Sequence, residues 1–445
     1  MKKTAIILLA IVMAIPVKAQ MTLQDCLLYA SEHAHANIIN RLDIRKAQLD
    51  KGITASNLMP YLGFSSNGNM SFGRNIDPET NTYDNRRTLS TGFGLSLSIP
   101  VFDGLVSINN LKASKVAELR RIASARIEQD RISLDVIRAF YNVSYCKEMV
   151  EQVCSQLERD STDLAATLRQ EELGTKSGAD AAELEAIVAT DQYELTNQRN
   201  LLAKAYIELK GCMGMEPTPG PIDIVETAYE PSSSSMLTHP KITEAEYALS
   251  QSRYSLRAAK GSFSPRISFD AGISTSYYRM MGTDNITPNF SEQWRNNMGQ
   301  YLGVSFSLPL FTGLSNIKKQ KRANVEFEQS RLRLEQVKYE IEKEASEAAL
   351  DLQAATEELN AATRRVEAEE IAYKAIRRKY EIGMSSAIDL YTSSAKLARA
   401  RANQEGKRIQ RIIAVILLDY YHGSPLIQNS KFKIQNSILT SATVR

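Results

Sequence analysis

Cysteine, histidine and tryptophan are scarce in this sequence, with four, four and one residues among 445. Four scattered thiols are too few for a disulfide framework, and Cys146 and Cys154 are too far apart on one predicted helix to bridge. His33 and His35 do not share a helix face and have no acidic or thiol partner at ligand spacing. We therefore expect neither a disulfide framework nor a metal site.

Signatures of catalysis and of nucleotide binding are also missing. The sequence has no nucleophile motif, no phosphate-binding glycine loop and no convincing pair of carboxylates. Charge of one sign is not in excess, because 54 Lys and Arg stand against 51 Asp and Glu. A mixed and nearly neutral chain gives no basis for a nucleic-acid partner. We expect a protein that is not an enzyme and needs no cofactor.

Long apolar runs are limited to the N-terminus, where two lysines precede an apolar stretch over residues 5–17. That stretch is shorter than the roughly 20 residues of a membrane-spanning helix, and its flanks are typical of a secretory signal. We expect a signal peptide over 1–19 and a mature chain from Gln20. Cys26 lies too far from this site for a lipid anchor, so no acylation is expected. Any membrane crossing would require strands in a closed barrel.

An internal repeat organises the chain. Residues 98–105 align with 307–314 at an offset of 209, and both contain a proline, a phenylalanine and a glycine in the same order. The same offset aligns 172–180 with 381–389, which share a glycine, a serine and an aspartate. Agreement at one offset in two distant places indicates a duplicated unit.

The duplication sets the expected domains. The first repeat covers 20–216 and the second 241–423. Between them, residues 217–240 are rich in proline and serine and are expected to form a connecting segment. The tail over 424–445 shows no clear pattern.

Segments with a period of two predict four strands, arranged as hairpins at about 60–101 and 265–310. Apolar residues such as Leu62 and Phe64 alternate with serine, glycine and asparagine. Small polar residues suit a water-filled lumen, and each segment supplies the roughly 9 to 11 residues of a transmembrane strand. Two ordinary hairpins packed on a soluble domain remain the alternative.

Two runs without proline, 105–173 and 314–382, are dominated by helix-forming residues. Each would extend about 100 Å as a helix. Apolar residues recur at seven-residue intervals, which is typical of a coiled-coil seam. A shorter returning helix follows each run, which predicts helical hairpins over 105–210 and 314–421. A further helix is expected over 22–58.

The turn of each helical hairpin holds a glycine, a serine and an aspartate. These residues are Gly174, Ser177 and Asp180 in the first repeat, and Gly383, Ser386 and Asp389 in the second. Glycine suits the end of the long helix, serine can cap the returning helix, and an acidic residue is favourable in its first turn. Capping is therefore the simplest explanation of both aspartates.

This order of elements resembles the TolC-like outer-membrane efflux family over essentially the whole mature chain. Residues 21–30 resemble the family's N-terminal helix, and 380–389 resemble its periplasmic tip. Six residues resemble its strand-to-helix motif. They are Pro100, Phe102 and Gly104 in the first repeat, and Pro309, Phe311 and Gly313 in the second.

The resemblance implies an α+β membrane protein. Four strands from each chain of a homotrimer would close a twelve-stranded transmembrane β-barrel, continued by a long periplasmic α-helical coiled-coil tunnel. The protein would lie in the outer membrane of a Gram-negative-type cell, in contact with its lipid. It would be the exit duct of a tripartite efflux pump, working with a periplasmic adaptor and an inner-membrane transporter.

Two alternatives remain open. One is the exit channel of type I protein secretion, and the other is a structural trimeric coiled-coil surface protein. A passive general porin is disfavoured because porins consist of strands throughout.

In the family, acidic rings and a tyrosine-centred network hold the periplasmic tip shut. Tyr380, Asp389 and Asp180 match those positions. The sequence departs from the family at Ser385, where a basic residue is often found. Lys176, at the equivalent place in the first repeat, is the candidate to supply the missing cation.

Overall fold

The structure, a computed structural model, describes most of the chain outside its two ends. The described residues are 20–76, 81–227, 239–281 and 289–427. The expected signal peptide and the tail beyond residue 427 lie outside them, as does the greater part of the second half of the connecting segment.

Eight helices are found in these four described ranges. They are α1 Leu23–His33, α2 His35–Ser56, α3 Val106–Glu172, α4 Gly178–Met213, α5 Pro240–Gly261, α6 Phe290–Asn296, α7 Ser315–Glu381 and α8 Ala387–Tyr421. The long helices α3 and α7 each contain 67 residues, or about 100 Å of helix at about 1.5 Å per residue. None of the described helices combines the length and the apolar character needed to cross a membrane.

The chain divides into two compact units. The first, which we call the helical unit, is formed by the described parts of Met1–Asp43, Ala123–Thr243 and Gln336–Arg445. The second, the strand unit, is formed by the described parts of Ile44–Ile122 and Glu244–Glu335. The candidate tip residues belong to the helical unit, and the strand-to-helix motifs belong to the strand unit.

The core of the helical unit is formed by α1, the middle of α3, the end of α4 and the end of α8. Its large apolar side chains with almost no exposure are Leu27, Val136, Phe140, Val143, Leu209, Met213 and Ile416. Burying a side chain of this size stabilises the fold by about 1.5–3 kcal/mol. This apolar contact packs the first helical hairpin, α1 and the end of α8 together far from the turns.

The single helix expected over 22–58 is interrupted at Ala34, whose ψ of 128° lies outside the helical region. The Ala30 carbonyl oxygen accepts from the Ala34 N–H and also from the side-chain amide of Asn37, both at 3.0 Å, so Asn37 ties the start of α2 back to α1. The break lies against the backbone that follows α4. The contact is so close that a Cβ added at Gly214 would lie only 2.6 Å from the His33 carbonyl oxygen. The end of α4 therefore occupies the space beside the end of α1.

Four antiparallel strands form one sheet in the order β1-β2-β3-β4. They are β1 Tyr61–Ile76, β2 Tyr83–Phe102, β3 Arg266–Met281 and β4 Gly299–Ser307. The predicted fold, with four strands and two long helical hairpins in two repeats, is thus confirmed. In the described residues, the outer edges of β1 and β4 have no strand beside them.

The register separates the two faces of the sheet. Leu62, Leu97, Ala271 and Leu302 form one row across the four strands and share what we call the apolar face. The next row is Tyr61, Ser98, Asp270 and Gly303, on what we call the small-residue face. Side chains of the apolar face are largely uncovered, with Leu302 76% exposed. An apolar surface of this extent indicates contact with lipid or protein.

The second hairpin differs from the expected pair of long strands, because β4 is only nine residues long and is preceded by the short helix α6. The Gln293 side chain donates to the backbone oxygen of Tyr278 and accepts from its backbone N–H, both at 2.9 Å. The Asn297 amide donates to the Ser276 oxygen at 2.8 Å. Side chains of this segment therefore bond to the edge of β3 that lies beyond its pairing with β4.

The strand-to-helix motif uses the same backbone geometry in both repeats. Gly104 and Leu105 have φ of 73° and 63°, and Gly313 and Leu314 have φ of 59° and 65°. Two successive left-handed residues turn the chain sharply from strand to helix. The leucines are unusual, because a side chain rarely adopts positive φ. Pro100 lies where the β2–β3 register shifts, and Pro309 follows the end of β4.

The two motif glycines should differ in their tolerance of alanine. Replacement of either glycine introduces left-handed strain of about 1–2 kcal/mol. At Gly104 the new Cβ would also lie 2.3 Å from the Gly261 carbonyl oxygen, whereas nothing lies within 4 Å at Gly313. We expect Gly104→Ala to lower the free energy of unfolding by about 1–3 kcal/mol more than Gly313→Ala. Thermal unfolding of both variants measures this, and equal losses would contradict it.

Candidate functional site at the hairpin tips

We call the two turns 173–177 and 382–386, with the adjoining helix ends, the hairpin tips. Each long helix ends at a left-handed glycine, with φ of 74° at Gly174 and 75° at Gly383. The Gly174 N–H donates to the Glu171 oxygen at 2.8 Å, and the Gly383 N–H donates to the Tyr380 oxygen at 3.0 Å. Open space surrounds both glycines, so their conformation alone explains the residue type.

Each returning helix begins with a capping box. Ser177 Oγ accepts from the Asp180 N–H at 3.3 Å, and the Asp180 carboxylate accepts from the Ser177 N–H at 3.2 Å. Ser386 and Asp389 repeat this exchange at 3.2 Å in both directions. Ser385 Oγ adds a bond to Asp389 at 3.2 Å. Within one chain, capping thus accounts for the contacts of Asp180, Asp389 and Ser385.

The hydrogen bonds of the capping boxes also set the charge at the tips. Bonds from the serine side chain and backbone hold the pKa of the Asp180 and Asp389 carboxyl groups below the ordinary value of 3.8. Both carboxylates are therefore ionised at neutral pH, and they are held at the start of a helix.

Tyr380 connects the end of α7 to the first repeat. Its hydroxyl lies 3.2 Å from the Thr167 hydroxyl on α3. The Lys176 ammonium nitrogen lies 4.1 Å from the centre of the Tyr380 ring, which is a cation–π contact. The structure thus brings the predicted residues Tyr380 and Lys176 together, with the lysine placed on the aromatic ring.

A second contact between the repeats was not anticipated from sequence. Arg377 Nη2 lies 3.3 Å from the Asp163 carboxylate on α3. The same guanidinium donates to the Tyr373 hydroxyl at 3.0 Å and to Glu381 at 3.3 Å. Arg377 is three residues before Tyr380, so both side chains tie the last turns of α7 to α3. Arg377 is one of many charged residues on α7, so nothing in the sequence distinguishes it as a contact between the repeats.

A buried pair of carboxyl groups lies further along the first hairpin. Asp160 on α3 and Asp191 on α4 are 9% and 8% exposed, and Asp191 Oδ2 has no hydrogen-bond partner among the described residues. Gln156 Nε2 donates to Asp160 at 2.5 Å, and Gln156 Oε1 accepts from Ser394 on α8 at 2.7 Å. Burial, followed by the interaction with the neighbouring Asp160 carboxyl group, raises the pKa of Asp191 to about 7. Close to neutral pH, Asp191 can therefore keep its proton.

Apolar contacts at the tips are few. Leu184, Ile187 and Ala387 form a small buried cluster, against which Leu164, Tyr380 and Tyr391 pack. By contrast, the apolar side chains of the turns themselves are exposed. They are Leu173, Ile382 and Met384. The tips are thus joined mainly by individual polar contacts and one small cluster.

These contacts can hold or release helices, but they contain no arrangement of a nucleophile and a base. Across the described residues, no group of three or more His, Cys, Asp and Glu side chains is suited to hold a metal ion. His33 ends α1 and its ring stacks on Tyr29. The described contacts at the tips thus join the two helical hairpins.

Solved outer-membrane channels have this fold. CusC, whose crystal structures concern transmembrane channel formation, is 18% identical, with 92% of this chain and 93% of CusC covered at a TM-score of 0.78. The Campylobacter jejuni CmeC channel is 14% identical, with 93% of this chain and 88% of CmeC covered at a TM-score of 0.77. The Vibrio cholerae outer membrane protein VceC is 15% identical, with 91% of this chain and 96% of VceC covered at a TM-score of 0.74.

The family model of the outer membrane efflux proteins matches residues 40–215 and 232–424. The chain therefore belongs to this family, and the resemblance stated from sequence is confirmed. Among curated protein sequences, none matches the chain significantly.

The Asp160–Asp191 pair predicts a pH dependence of stability. The pKa of Asp191 is about 7 in the folded chain against an ordinary value of 3.8, so the folded state binds this proton more tightly. The contribution of Asp191 to the free energy of unfolding should fall as pH rises from about 4 to about 7 and then level off. In Asp191→Asn, whose amide can always donate to Asp160, this contribution should disappear.

Melting temperatures measured from pH 4.5 to pH 8 test this expectation. The matched control is Glu185→Gln, an exposed position on the same helix, which should follow the unmodified protein. If Asp191→Asn and the control have the same pH profile, Asp191 does not bind the proton differently in the folded state.

Proposed function

We propose that three copies of this chain form the exit duct of a tripartite efflux pump in the outer membrane. The duct conducts substrates passively, without chemistry, after a periplasmic adaptor and an inner-membrane transporter deliver them. The observation that carries this proposal is the open four-stranded sheet, with its exposed apolar face and its opposite face of small polar residues.

The number of strands supports a trimer. Four strands cannot close a barrel, and about eight give an interior that side chains just fill. Three chains provide twelve strands, which leave room for a lumen. Closure would also pair the outer edges of β1 and β4 with neighbouring copies, so that every strand acquires the hydrogen-bonding partners required in lipid.

The two faces of the sheet support the orientation of this barrel. Phe64, Leu302 and Val304 are among the exposed residues of the apolar face and suit contact with lipid. The serines and glycines of the small-residue face suit a water-filled lumen. We place the strands in the outer membrane and the helical hairpins in the periplasm. A coiled-coil stalk would have no use for such a sheet.

We assign the hairpin tips to gating. The bond of Tyr380 to Thr167, the cation–π contact of Lys176 and the Arg377–Asp163 pair join α7 to the first repeat. Partly exposed contacts of this kind each stabilise by about 1 kcal/mol or less. Their sum is enough to favour a closed tip and small enough for an adaptor to overcome. Asp180 and Asp389 would present their charge at this opening.

Single-channel conductance in a planar bilayer tests the gate. The double variant Tyr380→Phe, Arg377→Gln removes the hydrogen bond to Thr167 and the ion pair with Asp163. The aromatic ring at position 380 is retained, so its packing is preserved. We expect larger or more frequent openings than in the unmodified protein. The matched control is Tyr339→Phe on the same helix, where the side chain is 69% exposed.

The possible results separate the duct from its gate. Unchanged openings in the double variant would show that these contacts serve packing only. If the purified, unmodified protein forms no channel, the proposed duct itself is wrong. Asp389→Ala, tested alongside, should lower the melting temperature modestly, because it removes the N3 half of the capping box of α8.

A further inference from the structure

Asp270 is an unusual residue on the small-residue face of the sheet. Its carboxylate accepts hydrogen bonds from three serine hydroxyls on three strands. They come from Ser98 on β2 at 2.7 Å, Ser268 on β3 at 3.0 Å and Ser305 on β4 at 2.6 Å. The partners that the described chain gives this carboxylate are all neutral hydroxyls, and none is a cation.

Other charge is sparse near Asp270 among the described side chains of this face. Among its described side chains in β1 to β4, the other charged residue is Arg266, the first residue of β3. Arg266 lies four residues from Asp270, or about 13 Å along a strand. Gly303 stands directly opposite Asp270. Small neighbours therefore leave the carboxylate accessible from this side.

The opposite face is apolar at the same level of the sheet. Asp270 is flanked along β3 by Phe269 and Ala271, which pair with Val304 and Leu302. Those two β4 residues are 69% and 76% exposed. An ionised carboxylate at such a level is costly in hydrocarbon and needs water beside it. The small-residue face must therefore be wetted where Asp270 lies.

We propose that Asp270 determines the charge selectivity of the duct by fixing a negative charge in its lumen. This inference rests on the proposed trimeric duct, in which three copies of Asp270 lie at one level and form a ring. Rings of acidic side chains favour the passage of cations. The favoured solutes are then small cations and molecules that carry a positive group, whereas anions are disfavoured.

If Asp270 served only to link the strands through hydrogen bonds, its charge would not be required. The three serines need an acceptor, and an asparagine oxygen at position 270 can also accept hydrogen bonds. The carboxylate carries a negative charge, and the described residues place no cation in hydrogen-bond contact with it. The ratio of potassium to chloride permeability reports this charge directly. If Asp270 only links strands, removing its charge would leave that ratio unchanged.

The experiment is the reversal potential of the purified full-length protein in a planar bilayer under a gradient of KCl. Dilute salt is essential, because charges are screened over about 30 Å at 0.01 M but over only about 3 Å at 1 M. We expect the unmodified channel to prefer potassium. The preference should fall toward equality in Asp270→Asn and be retained in Asp270→Glu.

Asp270→Lys provides a stronger test, since a ring of positive charges should invert the preference in favour of chloride. Loss of structure cannot produce an inverted preference in an open channel. If Asp270→Asn forms channels with the permeability ratio of the unmodified protein, the inference is overturned while the duct stands. If the unmodified protein forms no channel, the proposed function fails first.

Discussion

Unsatisfied hydrogen-bonding groups at the edges of the sheet are the constraint on which the rest of the structure depends. β1 and β4 each present a free edge in the described chain, and the apolar face of the sheet is left uncovered. In lipid, such edges are tolerated only when strands close into a barrel. The proposed assembly of three copies satisfies the edges and the apolar face together, so closure and membrane insertion have one physical cause.

The hairpin tips follow a different principle, because their stability is local. A left-handed glycine and a capping box complete each turn within a few residues, so the form of each turn is set by its own residues. The contacts between repeats are individual and partly exposed, such as Arg377 with Asp163. A turn that is rigid by itself but weakly attached to its neighbour can move as a unit, which is what the proposed gate requires.

This division also explains what the sequence could predict. Both turns, both capping boxes and the alternation of the strands were predictable, because each depends on residues close together in the chain. The Asp160–Asp191 pair and the Arg377–Asp163 contact were not, since both depend on how one helix is aligned along another. The break at Ala34 and the helix α6 were missed for a related reason. Each is decided by a packed neighbour, such as Gly214 beside His33.

The repeat is symmetric in its backbone but not in its tip contacts. Tyr380 corresponds in the first repeat to Glu171, and Lys176 corresponds in the second to Ser385. The aromatic ring and the cation that meet at the tip therefore come from opposite repeats, and the reverse pairing does not exist. The second hairpin supplies the ring and the guanidinium, while the first supplies the hydroxyl, the ammonium and the carboxylate that receive them. Duplication alone would give two equivalent hairpins, so with these differences the proposed release of the tip would be a movement between two unlike partners.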